Sequence, residues 1–271
     1  MILFNKTQVM VIALFSLSIF CFFAFQPSKP LRRSPNSSFT VGEKLEYRLH
    51  YGFINAGEAI IAVDPQYFMV NDRVCYKISV DGRSTGSFDF VMKIRDQFIS
   101  YVDTSAMLPH KAYRLIREGK YKLDETVYFD QANKTARMKR DNDAETNHVT
   151  PANVQDIVSG YYFLRTVNFD KQQVGDTTLI NAFFEGKGYD FRVRYLGKDV
   201  VNTKLGKVNA IKLSPLMPDN QMFKGGNSIR FWVSDDKNRV PIKVEAVLFI
   251  GSVDLDIKSY SGLKWPLNMA N

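Results

Sequence analysis

Gly82-Arg83-Ser84-Thr85-Gly86 has the G-x-S-x-G spacing of a hydrolase nucleophile elbow. In that motif the glycines permit a strained turn that lifts a serine hydroxyl between a strand and a helix. The chemistry also needs an acid and a histidine further along the chain, and only His110 and His148 follow Ser84, both in polar or turn-like sequence. An elbow belongs to a sheet with alternating helices, whereas this chain offers one clear helical pattern, so a plain β-turn is the simpler reading. Metal chemistry meets the same shortage. His50, His110 and His148 are far apart, with no pair at i, i+2 or i+4, and no zinc pattern forms. Asp235-Asp236-Lys237-Asn238 lacks the alternating ligands and closing glutamate of a calcium loop and reads as a hairpin turn. Glu43, Glu46 and Glu58 could act in pairs on a glycosidic bond only if two of them faced each other across a cleft. Their positions on alternating polar faces or at strand ends fit a structural role better. These patterns assign no catalytic residue, no metal and no cofactor.

The elements that would position such residues are mostly strands. In Lys44–Tyr51, Leu45, Tyr47, Leu49 and Tyr51 alternate with Glu46, Arg48 and His50, the period of a half-buried strand. Asn55-Ala56-Gly57 punctuates, and Glu58–Val63 returns. Further strands are expected at Val74–Val80, Gln97–Val102, Lys111–Glu118, Lys120–Asp130, Thr135–Lys139, Thr177–Phe184, Tyr189–Leu196, Gly206–Leu213, Ser228–Val233, Pro241–Ile250 and Ser252–Tyr260. Short strands with Gly, Asn and Asp at the bends indicate a mainly β fold, a large curved antiparallel sheet or open β-barrel. One segment differs. Asn153–Val167 carries Val154, Ile157, Val158, Tyr161 and Leu164 at helical spacing, with Asn153 as N-cap, and its apolar stripe must pack across the sheet. Ser87–Arg95 fits either a strand or a short helix.

The first twenty-five residues set the address. A short basic start, Met1 to Lys6, precedes the almost unbroken apolar run Val9 to Phe25, the layout of a signal peptide or an N-terminal membrane anchor. The body is therefore expected outside the inner membrane, in the periplasm or cell envelope, with membrane attachment through residues 2–25 as one form. Cys21 lacks the small preceding residue that a lipidated cysteine needs. Gln26–Ser38, rich in proline and serine, reads as a flexible linker, and residues 39–265 as a single mainly β domain. In that domain Cys75 is the only cysteine, so no internal disulfide can form. The formal charge of +8 is spread along the chain rather than gathered in a stripe, which argues against nucleic acid as a partner.

Aromatic side chains are the remaining signal: twenty-one phenylalanines and thirteen tyrosines stand against two tryptophans. A curved sheet with such a surplus can enclose an apolar cavity. Tyr47, Tyr51, Phe53, Tyr161, Tyr162 and Trp232 are the candidates for its lining.

Phe39–Ala59 (FTVGEKLEYRLHYGFINAGEA) resembles the opening of bacterial envelope proteins grouped as domain of unknown function 3108, which show V-G-E-x-L-x-Y-x-x-x-Y-G-x-x-x-A-G. Arg95–Pro109, Glu118-Gly119-Lys120, Asp156–Arg165 and Phe231–Glu245 match as well, so the resemblance spans residues 39 to 260. It implies export and an antiparallel β fold, and brings no activity or catalytic residue. A curved sheet crossed by a helix also looks like the open half-barrels of periplasmic lipoprotein carriers. Three functions follow in order: a non-catalytic binding protein for a lipophilic small molecule or an envelope component, an assembly factor without a pocket, and an envelope hydrolase.

Overall fold

Alternation along β1 (Lys44–Tyr51) sends Leu45 and Tyr47 to one face and Glu46, Arg48 and His50 to the other. The same division runs through the sheet that β1 centres. The computed structural model describes residues 30–216, 228–247 and 252–271. Its strands continue as β2 (Ile54–Val70), β3 (Arg73–Ser84), β4 (Arg95–Asp103), β5 (Pro109–Glu118), β6 (Tyr121–Asp130), β7 (Thr135–Arg140) and β8 (Thr146–Val149). After the helix come β9 (Thr177–Phe184), β10 (Lys187–Thr203), β11 (Gly206–Pro215), β12 (Ile229–Ser234), β13 (Pro241–Val247) and β14 (Ser252–Ser261). One antiparallel sheet holds all of them, ordered from β8 back to β1 and then from β14 back to β9. Chain neighbours are therefore sheet neighbours throughout, and the first and last strands pair at its middle. Only the link from β8 to β9 departs from this meander, and it carries α2 (Ile157–Leu164).

Both halves of the sheet pack the same face on that helix. Tyr76, Ile78 and Val102 surround Val158 and Tyr162, while Ile211, Leu213 and Val233 surround Leu164. The helix-bearing face is thus the inner face of a curled sheet. The two edges approach without pairing: Phe183 of β9 joins Val127, Phe129 and Met138 in one cluster, with the Phe129 and Phe183 rings 5.8 Å apart. Gln155 pairs with β9, its N–H donating to the Asn181 carbonyl at 2.7 Å and its carbonyl accepting from Phe183 N at 2.8 Å, while its side chain reaches across to donate to the Met107 carbonyl at 2.8 Å. The result is an open barrel.

One end of the barrel, its base, is plugged. Glu43 and Arg165 are fully buried there and form a bidentate pair at 2.6 and 2.8 Å. Arg165 Nε donates to the Asn238 carbonyl, and Tyr162 Oη donates to Glu43. These bonds answer the desolvation that burying two charges entails. The Pro-rich stretch expected as a flexible linker docks at the base from Arg32 onward. Arg32 donates to the Ala106 and Met107 carbonyls at 3.0 Å, and buried Ser38 donates to the Arg165 carbonyl.

Four local expectations need correction. The helix is shorter than Asn153–Val167, because Val154-Gln155 runs beside β9. Its N-cap is Asp156, which accepts from Val158 N and Ser159 N in a capping box, whereas Asn153 sits at φ +55° in the preceding loop. The bend after β1 falls at Gly52 (φ +56°) rather than at Asn55-Ala56-Gly57. Gly57 lies within β2, where a Cβ would come 2.5 Å from the Arg83 carbonyl oxygen, so close approach is what excludes a side chain. Finally, β8 was unexpected within the polar stretch before residue 150; Ser87–Arg95, open between strand and short helix, takes the second form as a one-turn helix, α1 (Phe88–Val91). The leader (residues 1–25), the start of the linker and the end of the strand expected over Pro241–Ile250 lie outside the described residues.

Candidate functional site

α2 packs chiefly on β3, β4 and β9, with Leu164 reaching Ile211 and Val233, so the inner face of β1, β14, β13 and β12 toward the mouth is only partly covered. Cross-strand register defines that face. Leu49 of β1 faces Leu255 of β14, which faces Val244 of β13, which faces Phe231 of β12. One step nearer the mouth, Tyr51, Val253, Ala246 and Ile229 form a parallel row. All eight are only partly buried. The intervening positions lie on the other face and, apart from buried Trp232, are charged or polar: Arg48, Asp256, Lys243 and Trp232 in one row, His50, Asp254, Glu245 and Arg230 in the next. Period-two alternation thus builds an apolar inner wall and an ion-paired outer surface from the same four strands. Each of these wall side chains is already mostly buried, so covering what remains exposed is worth at most about 1 kcal/mol apiece, since full burial of a large apolar side chain gives roughly 1.5–3 kcal/mol.

A small recess lies on the other side of α2, lined by Phe98, Ala112, Val127, Val158, Phe183 and the charged pair Arg114–Glu125. It admits little more than a water, about 40 Å³. Glu125 there accepts from Arg140 Nε at 2.6 Å and lies 3.3 Å from Arg114 Nε, so its charge is matched on both sides.

The six expected lining residues separate. Tyr51 lies on the inner wall, its ring 6.4 Å from that of Phe88. Tyr161 is half-buried on α2, its hydroxyl donating to the Arg239 carbonyl. Tyr47 and Tyr162 face inward but are fully buried, donating to the Pro241 carbonyl and to Glu43. Burial pushes both phenols well above their ordinary value, which fixes them as neutral donors in the base. Phe53 and Trp232 do not face the wall. Phe53 projects from the β1–β2 turn, 108% exposed. Trp232 alternates with inward-facing Phe231 and Val233 and so lies on the opposite face, where it is buried in the cluster that holds Val201, Val208 and Ala210, between Lys212 and Lys243, with Nε1 donating to Asp199 at 2.8 Å. Leu49, Leu255 and Val244 were missed. Their alternation was legible, but only the course of α2 shows which part of the inner face stays bare.

Residues with chemical potential are engaged elsewhere. Ser84 closes β3, donating to Asp89 and accepting from Ile94 N at 2.8 Å, so its hydroxyl ties α1 to two strands. Arg95 grips the same carboxylate and, with Ser84, holds Asp89 at about 2, below the usual carboxylate range. His110 sits at the far end of β5, 3.7 Å from Asp103, and His148 bonds Thr146. Glu46 and Glu58 lie on the outer face beside Lys44 and beside Arg83 and Lys258. Asp236 accepts from Ser234 and Asn238 N, as a hairpin turn requires. Buried Cys75 has its thiol pushed up to about 12 by desolvation. Among the described residues no three His, Cys, Asp or Glu side chains converge as a metal site would need.

The family model described as "Protein of unknown function (DUF3108)" matches residues 46–258. The chain belongs to the DUF3108 family. No curated protein matches it significantly. Among solved structures, this DUF3108 chain is similar to a β-barrel-like DUF1849 protein from Brucella abortus, with TM-score 0.55 and 10% identity over 83% of this chain and 99% of that one. A YmcC-like protein from Bacteroides fragilis aligns over 86% of this chain and 100% of its own at TM-score 0.33 and 8% identity. A chain from Parabacteroides distasonis aligns over the same shares at 0.35 and 9%. The Brucella likeness shows the fold and no more. The expected family and the mainly β, barrel-like architecture are both found.

Proposed function

We propose that this DUF3108 member is an exported cell-envelope protein that binds an apolar ligand non-catalytically against the inner wall of β1, β14, β13 and β12. The observation that carries the reading is the pair of apolar rows, Leu49 to Phe231 and Tyr51 to Ile229, left incompletely buried on the inner face of a barrel whose base is closed by the Glu43–Arg165 pair. A soluble fold gains nothing from uncovered aliphatic side chains on a concave face, and a lipophilic molecule or acyl chain would complete their burial. The apolar run at residues 9–25 supports export. Among the described residues no helix is long and apolar enough to cross a membrane.

Native mass spectrometry of the gently isolated full chain tests this. Wild-type protein is expected to carry a bound lipophilic mass, and Leu255→Glu to reduce its occupancy about tenfold, because a carboxylate on the wall must be desolvated when the ligand seats. Wild-type protein devoid of bound mass, and unable to take up a fluorescent fatty acid, would overturn the reading.

A further inference from the structure

The mouth of the barrel, opposite the plugged base, has an unusual rim. Antiparallel meandering brings the β1–β2, β3–β4 and β5–β6 tips to this end side by side. They are fastened together: Thr85 N donates to the Ala56 carbonyl at 3.0 Å, and Gly119 N to the Lys93 carbonyl at 2.9 Å. Each tip presents bare apolar side chains. Phe53 and Ile54 come from the first and Phe90, Val91 and Met92 from α1, with Phe90 95% exposed, while Tyr121 follows the third tip. Scattered exposed apolar residues need no explanation, but six converging on one rim do.

Charge around these tips selects the occupant. Lys93, Lys120 and Lys122 are exposed beside the apolar cluster. Within the apolar cluster itself the acid, Asp89, is held by Arg95, and the exposed acids Asp141, Asp143 and Glu145 belong to the neighbouring β7–β8 tip. Partial desolvation and the neighbouring Asp96 raise the Glu118 carboxyl above its ordinary value. Aromatic and aliphatic tips framed by lysines are the composition of an interfacial membrane contact, where rings enter the headgroup boundary and ammonium groups meet anionic lipid. A protein partner's apolar patch would not require the lysine frame.

We infer that the rim formed by Phe53, Ile54, Phe90, Val91 and Met92 docks on an anionic lipid bilayer surface, setting the mouth of the barrel against the membrane. Docking itself does not need the inner wall to bind anything. It deepens the proposed function by naming the bilayer as the place where a lipophilic ligand enters.

The test uses the full chain with vesicles of phosphatidylethanolamine and phosphatidylglycerol bearing brominated acyl chains. The Phe90→Trp indole is expected to be quenched about threefold more than an indole placed by Met69→Trp, an exposed position at the base. Any attachment through residues 2–25 acts on both variants alike. Lys93→Glu with Lys120→Glu is expected to weaken the rim contact at least about tenfold, and neutral phosphatidylcholine vesicles to do the same. Equal quenching at positions 69 and 90 overturns the proposal. So does rim quenching indifferent to lipid charge, or an unquenched Phe90→Trp indole in a chain that sediments as a dimer. The two readings fail separately. Phe53→Ser with Phe90→Ser should abolish rim docking while leaving bound mass in native spectra, and Leu255→Glu should do the reverse.

Discussion

Glu43 and Arg165 are the residues on which the base depends. Both side chains are fully buried, and each oxygen of Glu43 accepts from a different guanidinium nitrogen. Removing one member leaves the other charged and unsolvated, so Glu43→Gln or Arg165→Met is expected to cost about 3–5 kcal/mol each. The double variant should cost clearly less than the sum, read from urea midpoints, because it leaves no orphaned charge. Asp103 governs the acid limb. Burial raises its carboxyl, but His110, Arg73 and the Ser105 and Ala106 amides outweigh this and hold it well below the usual range. A depressed folded value means the stability is present above the unfolded-state value near about pH 4 and is lost as pH falls further. Asp103→Asn is therefore expected to lower stability at pH 7 and to flatten its decline below pH 4, measured by denaturation across that range.

Elements were legible where alternation and turn residues agreed. β1 and β9 have the expected bounds because each alternates to its ends and meets a turn there. β8 was hidden: Thr146–Val149 is a four-residue edge strand, mostly exposed, with no buried face to leave a period. The start of α2 was misplaced because helical spacing continues through Val154, whereas Gln155 is drawn into a bridge with Ala182 of β9. That correction has its own test. Asp156→Ala should cost about 2 kcal/mol by thermal or urea unfolding, since it strips the cap and the buried bond from Ser100, whereas Asn153→Gly should be close to neutral. The candidate site was half legible for a related reason. Aromatic content drew notice to Tyr47 and Tyr162, which the base consumes, while the bare wall is largely aliphatic. Which inner residues stay uncovered depends on the line α2 takes, a long-range outcome that no local pattern encodes.

At the scale of the molecule, the sheet order places the chain's first and last strands at the centre and leaves the seam between β8 and β9. β1 has a full ladder on each side, to β2 and β14. The seam holds by side chains and one short bridge, chiefly Phe183 against Phe129 and His148 at 5.8 and 5.6 Å. Local opening should follow the count of ladder bonds lost, so the barrel is expected to loosen first at the seam. Hydrogen-exchange mass spectrometry should then find Thr146–Val149 and Thr177–Phe184 exchanging first and Lys44–Tyr51 and Ser252–Ser261 last. Phe183→Ala removes a buried ring and should cost about 3–5 kcal/mol if the seam carries global stability. Its signature distinguishes the two roles of that ring. Faster exchange confined to β7, β8 and β9 would mean the seam opens by itself and the barrel can widen around a ligand, whereas uniform acceleration through β1 and β14 would mean that the sheet melts as one body and the inner wall is a fixed surface. The ladderless junction favours the first outcome, since among the described residues no backbone ladder joins β9 to β8.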